Sequence, residues 1–128
     1  MNYPKKVTIG DITVRDGFQH EEIFVPTEAK VWVLEEMILA GLKHLEVTNF
    51  GNPKGMPQFK DADDLFKKIR ASKKVSHLLD DVSLTAVTIR ERAIQRAIEA
   101  KKEGWGPDRI LLMVSTFMGR VIDIGAVL

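Results

Sequence analysis

The chain has 128 residues, of which 45% are hydrophobic and 29% are charged, and this predicts a single globular domain. Nineteen basic and 18 acidic residues give a formal net charge of +1, which predicts no basic surface for nucleic acid or for an anionic membrane. The absence of cysteine excludes disulfides and thiolate chemistry. No apolar run approaches the ~20 residues of a membrane span, and the first residues lack the apolar centre of a signal peptide. We therefore expect a cytoplasmic protein.

The first patterned stretch covers residues 7–19, VTIGDITVRDGFQ. Its β-branched and apolar residues predict a short strand through residue 14, and Gly17 predicts a turn. A cation, a carboxylate and an amide follow the strand at Arg15, Asp16 and Gln19. Ligands of α/β folds bind at the carboxyl ends of parallel strands, so these side chains are candidates for a functional site. Alternatively, Arg15 and Asp16 only end the strand and pair with distant charges.

A helix is predicted to follow, with Thr27 as its N-cap and Gly41 at its C-terminal end. Its apolar side chains recur at helical spacing and are expected to pack in the core. They are Val31, Leu34, Met37 and Ile38.

Residues 42–48 are predicted to form the second strand, because apolar and polar residues alternate there. The alternation places His44, Glu46 and Thr48 on one face and Leu45 and Val47 on the other. Residues 49–60 form a loop rich in glycine and proline, and loops of this length in compact domains are often functional.

The remaining pattern predicts a helix from Asp61, a strand over residues 82–89, a helix over 90–102 and a strand over 109–116. The last strand is mostly apolar, as expected when both of its faces are covered. Strands that alternate with helices predict right-handed parallel βαβ units and an α/β fold. A complete (β/α)8 TIM barrel needs about 250 residues, so this chain is expected to form half of one. Residues 117–128 form either a short fourth helix or a segment altered by truncation.

Three segments together resemble one family: RDGFQ, PTEAK and LEVTNFGNPKGMPQ. Their order and spacing resemble the 3-hydroxy-3-methylglutaryl-CoA lyases, within the wider pyruvate carboxyltransferase-like group of metal-dependent TIM barrels. The resemblance extends from about residue 7 to residue 116. It implies that residues 1–128 are the N-terminal half of a lyase-type barrel.

The resemblance also implies roles for the candidate site residues. Asp16 matches the family's metal-binding aspartate, which implies a divalent cation, Mg²⁺ or Mn²⁺, as cofactor. Arg15 matches the arginine that stabilises an enolate-like oxygen, Glu46 matches a catalytic glutamate, and Gln19 is expected beside them. Thr48 is expected to bind substrate at the same rim, although a structural role at the strand end is an equal alternative.

Two parts of the family's pattern are missing. The His-x-His pair that completes the metal site has no counterpart among His20, His44 and His77, and the cysteine-bearing lid and CoA-binding elements are also absent. The first hypothesis is therefore a lyase for an acyl-CoA or organic acid, present as a fragment that is inactive alone. The second is a non-catalytic half-barrel, and the third is an acyl-CoA/2-oxo acid condensing synthase. Expected partners are another copy or a separate C-terminal half, without nucleic acid or membrane.

Overall fold

The computed structural model describes residues 2–115 and 121–127, with side chains from residue 2 to residue 114. Strands and helices alternate along the chain, as predicted. The elements are β1 (Gly10–Asp11), α1 (Thr27–Leu39), β2 (His44–Asn49), α2 (Ala62–Ala71), β3 (Ser83–Thr88), α3 (Glu91–Lys102), β4 (Arg109–Ser115) and β5 (Val121–Val127). The sheet has the order β1-β2-β3-β4-β5, and the first four strands are parallel. This confirms the predicted α/β fold with four parallel strands.

The last strand departs from the expectation. β5 pairs antiparallel with β4, from Arg109 opposite Val127 to Ser115 opposite Val121. The prediction of a fourth helix is therefore wrong for residues 121–127. Residues 117–120 and 128, the rest of that predicted segment, lie outside the described residues.

The first strand is shorter than predicted, because the side chain of Asp11 ends it. Its two carboxylate oxygens accept hydrogen bonds from the backbone N–H of Thr13 at 2.8 Å and from the Thr13 hydroxyl at 3.1 Å. Such local bonds compete with a strand ladder. A π-helical turn, Thr13–Gly17, follows, and the N–H of Asp16 donates to the carbonyl of Ile12 at 2.7 Å. The prediction of a strand through residue 14 is therefore wrong, and Arg15 and Asp16 lie on a helical turn.

The hydrophobic core lies between the helices and one face of the sheet. It contains the predicted α1 positions Leu34 and Ile38, the β2 positions Leu45 and Val47, and side chains of α2, α3, β3 and β4. Gly41 has a φ of +96°, the left-handed conformation expected just beyond a helix. Within the described part of the chain, no helix is long and apolar enough to cross a membrane.

The N-cap prediction for α1 is wrong, because Thr27 is the first residue of the helix and Pro26 precedes it. The hydroxyl of Thr27 donates instead to Asp61 at 2.8 Å. This bond joins the start of α1 to the residue before α2.

The opposite face of the sheet is open. The register places Glu46 beside Thr85 and Thr85 beside Arg109, so these three residues share that face and line a shallow cavity of about 170 Å³. Val114 is exposed. The expectation that both faces of β4 are covered is therefore wrong, because helices cover only one of them.

Candidate functional site

Arg15 is the centre of a charged cluster above β1. Its side chain is buried, and its Nε donates to Oε2 of Glu46 at 2.7 Å, while Nη2 lies 2.6 Å from the same oxygen. Nη1 donates to Oδ1 of Asp16 at 2.5 Å. The three side chains therefore meet, and the roles that the resemblance implies for them stay predictions. We call Arg15, Asp16 and Glu46 the Arg15 cluster.

The two carboxylates of the Arg15 cluster have different surroundings. The Asp16 side chain is 42% exposed and the Glu46 side chain 18% exposed. Glu46 is the third residue of β2 and not its last, so its carboxylate reaches the strand end only through the length of its side chain. Each carboxylate gives Arg15 a single oxygen, and the second oxygen of each makes no hydrogen bond to any described residue. The cluster carries two negative charges and one positive charge, and it retains free acceptors.

A β-bulge in β2 changes the expected position of Thr48. Glu46 lies opposite Thr85, but Thr48 lies opposite the next residue of β3, Ala86, so Val47 is the extra residue. Asn49 then lies opposite Val87. Since alternate residues of a strand share a face, Asn49 and not Thr48 lies on the face of Glu46. The predicted alignment of Thr48 with Glu46 is therefore wrong.

Thr48 and Asn49 also differ in their hydrogen bonds. Both are buried, but the Thr48 hydroxyl has no partner among the described residues. Oδ1 of Asn49 accepts from the N–H of Gly51 at 2.7 Å, and a Cβ at Gly51 would lie 2.9 Å from that oxygen. Asn49 thus fixes the start of the following loop, and a side chain at Gly51 would displace this amide oxygen. Sequence analysis missed Asn49 because strict alternation cannot reveal a bulge.

Gln19 follows the turn that carries Arg15 and Asp16, but its side chain makes no hydrogen bond to the Arg15 cluster. Its side chain is half-buried and makes no hydrogen bond to a described residue. The amide is therefore free to bind another group. His20, the next residue, is exposed.

The donor set for a metal ion is incomplete in the described residues. Among them, no three histidine, cysteine, aspartate or glutamate side chains are grouped so that they could hold a metal ion. Asp16 offers one exposed carboxylate, and one of its oxygens already contacts Arg15. The described residues therefore do not fit a complete divalent-metal site.

Comparison with known proteins gives relatives but no match to a family model. The chain is 35% identical to hydroxymethylglutaryl-CoA lyase YngG of Bacillus subtilis over 99 residues, which are 77% of the chain and 31% of that relative. It is 34% identical to the mitochondrial hydroxymethylglutaryl-CoA lyase of Arabidopsis thaliana over 97 residues, 76% of the chain and 19% of that relative. The chain thus spans a third or less of the length of these relatives.

The fold is also similar to solved lyase structures. The crystal structure of the HMG-CoA lyase from Brucella melitensis matches with a TM-score of 0.72 and 27% identity, over 88% of this chain and 35% of that chain. Such lyases are TIM barrels, so the strands and helices described above correspond to part of a barrel.

Proposed function

We propose that this chain, which is related in sequence and fold to the hydroxymethylglutaryl-CoA lyases, supplies part of the active site of a divalent-metal-dependent carbon–carbon lyase. The observation that carries this proposal is the Arg15 cluster. A buried guanidinium is held by two carboxylates, and one of these remains open to solvent. The relatives named above are lyases, which favours this reaction class over a condensing synthase.

The proposed role of Arg15 is to stabilise negative charge on a substrate oxygen. Its guanidinium is already fixed in position by Glu46, so little reorganisation is needed when that charge develops. By analogy with oxyanion-hole donors, a contact of this kind is worth about 3 kcal/mol in the transition state. Glu46 orients Arg15, and the free amide of Gln19 is placed to bind substrate. On the evidence of the register, we assign the substrate-facing position at the end of β2 to Asn49 in preference to Thr48.

The proposed cofactor is Mg²⁺ or Mn²⁺, with Asp16 supplying one carboxylate oxygen. The other ligands would come from outside the described residues, since those residues hold no complete site. Such a cation, when bound, polarises a substrate oxygen. The proposed substrate is an acyl-CoA or organic acid of the class named in the relatives. The lack of cysteine favours a reducing compartment, for which we propose the cytoplasm.

The proposed partner is a separate chain that carries the remaining part of the barrel. Residues of such a chain would cover the open face of the sheet and would complete the set of metal ligands. A second copy of this chain is the alternative, but it would duplicate Asp16 without adding the family's histidine pair. Sedimentation at micromolar concentration distinguishes a monomer from a homodimer. A clean monomer mass for the pure chain would eliminate the second copy.

The proposed function is tested by Mn²⁺ binding, followed by electron paramagnetic resonance. We expect weak binding by the wild-type chain and none by Asp16→Asn, because one carboxylate is a poor site alone. Asp80→Asn removes an exposed carboxylate elsewhere and serves as the matched control. Equal binding by all three proteins would contradict the assignment of Asp16. Robust cleavage of 3-hydroxy-3-methylglutaryl-CoA by the chain alone would contradict the need for a partner.

A further inference from the structure

The side-chain amide of Gln58 joins two loops that are distant in sequence. Gln58 lies in a short 3-10 helix, Pro57–Phe59, and is 6% exposed. Its Oε1 accepts the N–H of Val25 at 3.1 Å, and its Nε2 donates to the carbonyls of Glu21 at 2.8 Å and Ile23 at 2.7 Å. A carboxamide has two N–H donors and one carbonyl acceptor group, and here both donors and the carbonyl are engaged by the loop of residues 20–26. We call these three bonds the Gln58 bridge.

The backbone of Gln58 is held by a buried lysine of α1. Nζ of Lys30 donates to the Gln58 carbonyl at 2.5 Å and to Asp61 at 2.9 and 3.1 Å. Lys30 is 1% exposed, and the ring of Phe24 lies 4.4 Å from its Nζ. Burial lowers the pKa of Lys30, while the bond to Asp61 opposes that shift. A buried ammonium with three oxygen contacts is a rigid anchor, since breaking such a pair leaves an uncompensated charge.

The two loops joined by the bridge each begin at the candidate site. The loop of residues 20–26 follows Gln19 and the turn that carries Arg15 and Asp16. The loop of residues 50–60 follows Asn49, at the end of the strand that carries Glu46. The Arg15 cluster is thus formed by the turn that precedes one loop and the strand that precedes the other, and the bridge joins the two loops to each other.

We propose that Gln58 is a positioning residue, whose amide holds the loop of residues 20–26 so that Arg15, Asp16 and Gln19 keep their places opposite Glu46. Nζ of Lys60 also lies 4.1 Å from the centre of the Phe24 ring, which adds a second, weaker contact between the two loops. The consequence of this coupling for substrate binding rests on the proposed function. Gln58 itself does not contact the Arg15 cluster and is not a catalytic residue.

The first test is hydrogen exchange measured on the full chain with Gln58→Leu. Leucine keeps the apolar volume but removes all three bonds of the bridge. We expect the Val25 amide and its neighbours in residues 20–26 to exchange about tenfold faster, the order expected when a buried hydrogen bond is lost. Exchange in α3 should not change. Gln95→Leu, an exposed position in α3, is the matched control and should leave residues 20–26 unchanged.

The second test uses Gln58→Glu, which makes the bridge depend on pH. A protonated carboxyl can still donate to one of the two loop carbonyls, but a carboxylate faces both with negative charge. The nearby Lys30 ammonium favours the carboxylate, but it is paired with Asp61, whereas the two carbonyls contact the side chain directly and disfavour it. We therefore expect a raised pKa for this glutamate in the folded protein. Protection of residues 20–26 should be present below its unfolded pKa and lost as pH rises through the raised value. The wild type should show only the intrinsic pH dependence of exchange. A residue that merely fills space would not produce this profile.

The results separate the bridge from the proposed function. Local, pH-dependent exchange in Gln58→Glu supports the bridge even if Mn²⁺ binding or lyase activity is never found. Unchanged exchange of residues 20–26 in Gln58→Leu overturns the bridge, even if the chain proves to be part of a lyase. If Gln58→Leu does not fold, Gln58→Glu is the only test. The proposal is then overturned if acidification does not restore the protection of residues 20–26. The Nε–H signal of Arg15, whose partner is Glu46, should exchange faster whenever the bridge is broken.

Discussion

The two ends of the sheet carry charged clusters of different design. At the amino ends of the strands, Asp108 uses both carboxylate oxygens: Oδ2 accepts from the N–H of Leu84 at 2.9 Å and from Arg70 at 2.8 Å, and Oδ1 accepts from Lys101 at 3.0 Å. We call these residues the Asp108 cluster. The Arg15 cluster lies toward the carboxyl ends and leaves one oxygen on each of its carboxylates without a hydrogen bond to a described residue. The two clusters also differ in net charge, since one carboxylate faces two cations in the Asp108 cluster and two carboxylates face one cation in the Arg15 cluster.

The difference shows how a stabilising cluster is distinguished from a candidate site. In the Asp108 cluster both carboxylate oxygens accept hydrogen bonds from other residues of the fold. The cluster therefore stabilises the folded chain and keeps no acceptor for a ligand. In the Arg15 cluster both carboxylates keep one oxygen without a hydrogen bond to a described residue, and Asp16 is exposed. A group that retains exposed acceptors can bind a ligand without first breaking the fold. The clusters should therefore respond differently to substitution.

The largest effect is expected for Arg15→Met. Removing the guanidinium leaves the carboxylate of Glu46, largely buried, without its partner. We expect the free energy of unfolding to fall by about 3 kcal/mol, the low end for a broken buried pair because Glu46 keeps some solvent contact. Urea unfolding measures this. Arg92→Met, at an exposed position of α3, is the control, and an equal loss in both variants would contradict the central role of Arg15.

A smaller effect is expected for Asp108→Ala. The substitution removes the acceptor of the Leu84 N–H and the partner of Arg70, which should cost about 2 kcal/mol of unfolding free energy. Mn²⁺ binding should stay at the wild-type level, because this cluster lies at the other end of the strands. Weaker Mn²⁺ binding in this variant would break the distinction between the two clusters.

The Asp108 cluster should also give a pH dependence. Burial tends to raise the pKa of Asp108, but its bonds to the Leu84 N–H, Arg70 and Lys101 outweigh burial and lower that pKa in the folded protein. The unfolded chain therefore binds more protons. The stability from Asp108 is present above its ordinary pKa of 3.8 and is lost as pH falls through the lower folded value. Unfolding of Asp108→Asn between pH 2 and pH 5 should show a shallower acid dependence than wild type; the same slope would refute this.

The smallest effect on stability is expected for Asp16→Ala. Its exposed ion pair should contribute no more than about 0.5 kcal/mol to the unfolding free energy. Mn²⁺ binding should nevertheless disappear. A large loss of stability in this variant would make Asp16 a structural residue like Asp108, and the comparison between the two ends of the sheet would fail.

The architecture could be predicted from the sequence because its signals are local or geometric. Alternating strands and helices predict parallel units whatever the side-chain details. The carboxyl ends of parallel strands meet at one edge, so Arg15 and Asp16 could be expected near Glu46 before any contact was known. The buried stripe of α1 at Leu34 and Ile38 followed from helical spacing alone.

Other features depend on interactions that a strand or helix pattern does not contain. The end of β1 depends on two hydrogen bonds that Thr13 donates to the Asp11 carboxylate, and these override the strand preference of the β-branched residues around them. The bulge in β2 is visible only in its register against β3. The burial of Lys30 depends on Asp61, 31 positions away in the sequence. The pairing of β5 depends on β4, and its own residues carry no signal of the direction of pairing.

The antiparallel pairing of β5 has a kinetic consequence for any assembly that completes the barrel. Seven residue pairs join β5 to the edge of β4, where a parallel barrel would place its next strand. A partner strand can reach that edge only after β5 leaves it, so barrel completion is a strand exchange and not a simple docking. The observed association rate should then stop rising at high partner concentration and settle at the rate at which β5 peels away.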